Sequence, residues 1–285
     1  MSDNPFIGKD TFLFDGDGVL YKEELALPGA IEFLTLLQKK EKKIFILTNN
    51  STKTRKEFQA KLENLGIKIP IENILTSAYL TAAYFSKHSP DLNAYIIGEE
   101  GLKEEFRSLG LKVMNSGKES NDEAIFDLDF SNVDCVVTGM DRNLTYVKLA
   151  RAINILKNKD KETKFIATNG DMTFPTQQGL IPGGGAMITM LEELSGRKVE
   201  LIIGKPSPQM YISALEISGS TKEEAVFFGD RIETDIMGAN QVGILSFLVL
   251  SGVTSTDDLV NLSDDTSPDV IVNNLQDIIE LFKDL

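Results

Sequence analysis

The sequence predicts an α/β fold with a mainly parallel sheet, into which a second, smaller α/β unit is inserted. Three observations carry that expectation. Short apolar runs alternate with longer stretches of helical periodicity, the pattern of buried parallel strands joined by helices. Four of those runs end directly in polar, chemically capable residues. The middle of the chain repeats the strand–helix alternation between two such endings.

The elements follow in order. Thr11–Phe14 (TFLF) is an apolar strand that stops at Asp15. Pro28-Gly29 opens a helix with Ile31, Leu34 and Leu37 on one face, since proline is tolerated in a first helical turn. Ile44–Leu47 (IFIL) is the next strand and stops at Thr48. A polar helix is expected from Lys53 to Asn64, capped by Ser51 or Thr52. Strands are expected at Tyr95–Ile97, Val133–Val137 and Lys164–Ala167, with a helix over Leu144–Leu156 and a Gly/Pro-rich loop over Asn169–Gly185. Leu201–Ile203 stops at Gly204-Lys205, and Ala225–Phe228 stops at Gly229-Asp230. Ile244–Leu250 and Val270–Val272 complete the strands. The expected division is a discontinuous core of residues 1–79 and 183–285 with an inserted unit at 80–182.

Composition narrows the function. The chain has 285 residues, 42% hydrophobic and 25% charged, enough to bury two cores without cross-links. Cys135 is the single cysteine, so no intramolecular disulfide forms and a reducing compartment fits. The net charge of −14 gives no electrostatic help to nucleic-acid or membrane binding. No basic segment followed by an apolar stretch opens the chain, and no run approaches the roughly 20 apolar residues that span a bilayer. A cytoplasmic protein is expected, acting on a small molecule. A homodimer is left open.

Open α/β sheets bind ligands at the carboxyl ends of their strands, and the notable residues fall there. Asp15-Gly16-Asp17-Gly18 sets two carboxylates two residues apart. In an extended chain they face opposite ways, so a turn at Gly16 or Gly18 is needed to bring both to one pocket. Read chemically, Asp15 attacks phosphorus and Asp17 moves a proton. Read structurally, the segment is a polar turn. Thr48, Asn49, Asn50 and Ser51 supply hydroxyl, amide and backbone donors suited to phosphate oxygens. Lys205 stands before Pro206-Ser207-Pro208, where Ser207 caps a helix and Pro208 begins it, so its ammonium is held near a strand end. Asp230 and Asp235 add carboxylates, and Asp15 with Asp230 meets the needs of Mg2+, a hard cation that takes one or two carboxylates plus waters and phosphate. For Asp235 a helix N-terminal carboxylate is the competing reading.

Other phosphate and metal motifs fail. An EF-hand loop starting at Asp15 has Ala26 at its twelfth position, where a glutamate is required. Gly204-Lys205 is followed by proline, which excludes a P-loop, and Tyr21 stands where a dinucleotide fingerprint needs glycine. His88, the single histidine, lies in a polar turn and receives no role.

The ordered set DGDGVLY (Asp15–Tyr21), TNNS (Thr48–Ser51), GKPSP (Gly204–Pro208) and GDRIETDI (Gly229–Ile236) resembles the haloacid dehalogenase superfamily of phosphatases. The insertion resembles the type IIA cap of the NagD and p-nitrophenylphosphatase-like branch, to which VVTGMDRNLTY (Val136–Tyr146) and ATNGDMTFP (Ala167–Pro175) are also similar. The resemblance implies a Rossmann-like core with a mobile cap and hydrolysis of small phosphomonoesters: sugar phosphates, nucleoside monophosphates, phosphoglycolate or p-nitrophenyl phosphate. It implies Asp15 as nucleophile and metal ligand, and Asp17 as acid and base with its backbone carbonyl on Mg2+. Thr48 and Lys205 would hold the phosphoryl group with Asn49, Asp230 would complete the ligands, and Asp235 would act behind them. Cap specificity would fall to Met140, Asp141, Arg142, Asn169, Asp171 and Phe174, with Arg142 suited to a second anionic group. Pyridoxal-phosphate phosphatases of this branch carry histidine at the place Phe174 takes here, which weakens that substrate. Gly16 also departs from the family, which often has a larger residue between the aspartates. A dehalogenase is disfavoured by Asp17, a phosphosugar mutase by the size of the cap. A non-catalytic phospho-sensing module, which shares the aspartate, hydroxyl and lysine, has no use for Asp17 or a cap.

Overall fold

The computed structural model describes residues 4–115, 125–127, 129–176 and 178–283. Two compact units account for them, each built on its own sheet: the described residues within 1–48, 56–75 and 205–285 form the first, and those within 49–55 and 76–204 the second.

The first unit has a six-stranded sheet in the order Val270–Val272, Leu245–Val249, Ala225–Gly229, Thr11–Phe14, Lys43–Thr48 and Ile74–Thr76. The pairs around the central strand are parallel: Phe14 lies opposite both Phe228 and Ile46. That register sets the ends of three neighbouring strands at one edge, with Asp15, Thr48 and Gly229-Asp230 just at or past them. Thr11–Phe14 is buried on both faces, which is why it reads as a continuous apolar run. Its core is largely aromatic. Phe14 and Phe228 stack at 4.8 Å, Phe228 meets Phe247 at 4.8 Å, and Phe33 and Phe282 meet Phe12 edge-on. Each such ring adds about 1.5–3 kcal/mol by burial.

The second unit has a parallel five-stranded sheet in the order Leu201–Ile202, Lys164–Ala167, Cys135–Thr138, Asn93–Ile97 and Lys112–Val113. An antiparallel hairpin, Thr173–Thr176 with Gly179–Pro182, stands in what the sequence reads as a loop. Among the described residues, no helix is long and apolar enough to cross a membrane.

Several expectations shift. Leu201–Ile202 pairs with Lys164–Ala167, so this run belongs to the second sheet and the chain returns to the first unit at Lys205 rather than at residue 183. The helix after Pro28-Gly29 spans Ala30–Lys39 and buries Ala30, Phe33, Leu34 and Leu37, while Ile31 faces solvent. The helix expected from Lys53 starts at Arg55. The turn before it is closed by Asn50, whose Oδ1 accepts the N–H groups of Thr52 (3.1 Å) and Lys53 (3.0 Å). Ser51 does not cap that helix; its Oγ accepts the N–H of Met140 at 3.3 Å.

Candidate active site

Asp15 leaves its strand with its N–H still in the sheet, donating to the Phe228 carbonyl at 2.8 Å. The chain turns at Gly18, whose φ of +86° suits glycine. Gly18 N–H donates to the Tyr21 carbonyl at 2.8 Å, and Ser251 Oγ donates to the Gly18 carbonyl at 2.7 Å. Gly16 has a local cause as well. A Cβ there would lie 2.9 Å from the Tyr21 hydroxyl, so the buried tyrosine ring occupies the space a larger residue would need.

Lys205 is the hub of the charges. Its Nζ donates to Asp15 Oδ1 at 2.6 Å and meets Asp235 Oδ1 at 2.7 Å, all three groups being buried. Ser207 caps the helix Pro208–Ser218 by accepting the N–H of Gln209, with Pro208 first in the helix, as the sequence predicts. Burial by itself would lower the lysine pKa, but the two carboxylates outweigh it and raise it.

Asp230 and Asp235 are set by the turn after Ala225–Gly229. Asp235 Oδ2 folds back to accept the N–H groups of Asp230 and Arg231, each at 3.1 Å. Gly229 makes that possible, since a Cβ on it would lie 2.2 Å from the Asp235 Cβ. Asp230 Oδ2 accepts the Val253 N–H at 2.8 Å. It also sits between two glycines: a Cβ on Gly18 or Gly252 would come within 2.3 or 2.0 Å of it. Gly252 escapes sequence reading, although its place just beyond the Leu245–Val249 strand was the available signal.

Asp15, Asp230 and Asp235 each bring a carboxylate oxygen within 4.8 Å of the others. Desolvation, then Asp235 and Asp15, push Asp230 up to about 8. Desolvation pushes Asp15 up to about 6, with Asp235 adding to the rise and Lys205 opposing it. Asp230 Oδ1 is buried and accepts no hydrogen bond among the described residues. An orphaned carboxylate oxygen in an all-oxygen cluster, walled by glycines, fits a hard divalent cation.

Asp17 lies outside that trio. Its side chain is exposed at the surface, yet crowding around the carboxyl raises its pKa by desolvation, against the nearby charges of Lys61, Arg231 and Lys22. Thr48 is buried at the end of its strand, two residues past Ile46, the partner of Phe14.

The remaining candidates lie in the second unit. Asn49 and Asn169 both donate to Asp171 Oδ2, at 2.9 and 2.7 Å. Thr168 Oγ1 donates to Asn169 Oδ1 at 2.9 Å, which fixes that amide. Asp141 is interior: its carboxylate pairs with Lys148 at 2.9 Å and accepts the Asn143 N–H. Met140 is buried too. Arg142 is exposed, but its guanidinium forms a two-pronged pair with Glu99 at 2.6 and 2.7 Å. The sequence did not single out Glu99. Phe174 is exposed on the hairpin, opposite Ile181.

Known proteins resemble this chain over most of its length. The haloacid dehalogenase-like hydrolase family matches residues 12–112, and a second family, described as HAD-hydrolase-like, matches residues 202–278. An acid sugar phosphatase of Staphylococcus aureus is 36% identical over 250 residues, covering 88% of this chain and 90% of that protein. The crystal structure of 4-nitrophenylphosphatase from Thermotoga maritima superimposes with a TM-score of 0.84 at 33% identity, over 98% of each chain. NagD from E. coli K-12 does so with a TM-score of 0.80 at 30% identity, over 95% of this chain and 98% of that one.

Proposed function

The chain belongs to the haloacid dehalogenase-like hydrolases, on the NagD-like phosphatase branch, and from that premise we propose that it hydrolyses small phosphomonoesters with Mg2+ through an aspartyl-phosphate on Asp15. The observation that carries the reading is the convergence of Asp15, Asp230 and Asp235 beside Lys205, with Asp230 Oδ1 accepting no hydrogen bond among the described residues.

Asp15, Asp230 and the backbone carbonyl of Asp17 would hold the cation, with Asp235 behind them. Bound there, Mg2+ supplies positive charge that offsets the repulsion between a carboxylate and a phosphate dianion. The chain's own groups account for the rest. Asp15 attacks phosphorus, and the bond to the leaving alcohol oxygen breaks as Asp17 gives that oxygen its proton. Asp17, now ionised, takes a proton from water. The water oxygen bonds to phosphorus, the bond to Asp15 breaks, and phosphate leaves. The raised pKa of Asp17 suits a carboxyl that must be protonated in the first step. Lys205 neutralises the transferring group and Thr48 donates to its oxygens.

The second unit serves in this reading as the cap that selects the substrate. Sugar phosphates are the favoured class. The S. aureus relative is an acid sugar phosphatase, and Arg142, the cation that would welcome a second anionic group, is engaged by Glu99. Asp171, Asn169 and Phe174 are the residues we assign to that selection.

The test is release of phosphate from p-nitrophenyl phosphate and a panel of sugar phosphates with Mg2+ present or chelated. Asp15→Asn should abolish turnover with its circular dichroism spectrum unchanged. Wild-type turnover in that variant overturns the covalent role.

A further inference from the structure

Tyr211 is fully buried in the first unit and lies on the helix Pro208–Ser218, whose start follows Lys205. Its hydroxyl points at the backbone of the turn that carries Asp235, donating between the carbonyls of Asp235 (2.9 Å) and Thr234 (3.2 Å). That turn, Ile232–Ile236, is a π-helical turn in which the Ile236 N–H reaches back to the Arg231 carbonyl at 3.2 Å. Turns of this kind are rare and recur at functional sites.

The surroundings are shaped for the ring. It packs edge-on against Phe227 with centroids 5.1 Å apart. Gly238 leaves it room: a Cβ there would lie 2.4 Å from Tyr211 Cε2 and 2.7 Å from its hydroxyl. The helix begins three residues after Lys205, and its fourth residue holds the peptide from which Asp235 hangs. Asp235 in turn anchors the Asp230 N–H and meets Lys205.

We propose that Tyr211 is a positioning residue for the cation site: its hydroxyl holds the wide turn so that Asp230 and Asp235 stay converged on one cation. This rests on the metal reading above. Partners that orient metal ligands from behind characteristically set affinity, so removing the hydroxyl should weaken cation binding rather than substrate binding.

The experiment is calorimetric titration of Mg2+ into the substrate-free full-length protein. Wild type is compared with Tyr211→Phe, Gly238→Ala and, as a matched loss of a buried phenol hydroxyl in the second unit, Tyr95→Phe. The expected result is a Kd for Mg2+ raised about 10- to 100-fold in Tyr211→Phe and unchanged in Tyr95→Phe. With p-nitrophenyl phosphate, the Mg2+ concentration for half-activation should rise by the same factor, while KM at saturating Mg2+ stays within about twofold. Should Tyr211→Phe fail to fold, Gly238→Ala, which keeps the hydroxyl but displaces it, is expected to show the same loss. A Kd in the folded variants equal to that of wild type overturns the proposal, as does an equal loss in Tyr95→Phe. Absence of Mg2+ binding by wild type is a different result: it removes the metal reading itself and this inference with it.

Discussion

The ammonium of Lys205 lies 2.6 Å from Asp15 Oδ1, a contact that joins two residues 190 positions apart. The same nitrogen holds Asp235 at 2.7 Å, so one cation restrains the proposed nucleophile and the turn behind the proposed cation site together. Removing it should be felt in both stability and chemistry.

Lys205→Met leaves two buried carboxylates without their cation. Unpaired buried charge costs about 3–5 kcal/mol, which urea unfolding at pH 8 will read. Turnover should fall by about 10²- to 10³-fold, the usual cost of losing one group that stabilises transition-state charge. Near-normal kcat would remove Lys205 from the mechanism.

The raised carboxylates give a pH dependence with a definite sign. Asp230 is pushed up to about 8 and Asp15 to about 6, from an ordinary 3.8. Between about pH 4 and 8 the metal-free folded protein therefore holds protons that the unfolded chain has released, so this contribution to stability falls as pH rises through that window. A bound cation competes with those protons. Thermal melts with and without Mg2+ should show a larger stabilisation at pH 8 than at pH 6. An equal shift at both pH values would argue against Asp230 as a ligand.

Gly16 and Tyr21 should behave as a coupled pair. Gly16→Ala sets a Cβ 2.9 Å from the Tyr21 hydroxyl, and the ring is pinned by Phe58 and by Lys61, whose ammonium lies 4.0 Å from its centre. The expected cost is about 1–3 kcal/mol by overpacking. Tyr21→Phe removes the offending atom, so the double variant should recover part of the loss in a thermodynamic cycle. Strict additivity would mean that the space around Gly16 is set by something else.

Arg142 is tied to Glu99 by two hydrogen bonds, so it should contribute little to recognition of a second anionic group. Arg142→Ala is expected to leave stability within about 0.5–1 kcal/mol. It should also leave unchanged the kcat/KM ratio between a substrate with one anionic group and one with two. A selective loss for the doubly anionic substrate would restore Arg142 as a specificity residue.

Legibility in the sequence followed the physics of each segment. Asp15, Thr48 and Asp230 were visible because each follows a run buried on both faces, and such runs stop where the sheet edge begins. Lys205 was found for an incomplete reason. The run before it is equally apolar but pairs in the other sheet, and two strand residues carry no information about which sheet they join. Ile31 was misplaced because Phe33 and Ala30 shift the buried stripe by about one residue. Asp141 is a specificity candidate by resemblance alone, and its partner, Lys148, is seven residues on and inside the fold. Gly252 and Tyr211 act through space and backbone, and neither leaves a motif.

Gly18 and Gly252 press on Asp230 from two sides. A glutamate at 230 would need room that neither neighbour can yield, because what stands there is main chain and not a movable side chain. Retuning the proposed cation site for a larger ion by lengthening that arm is therefore closed off. Any such change would have to begin with the loops on which the two glycines sit, and a redesign that left them alone would trade the proposed ligand for a collision.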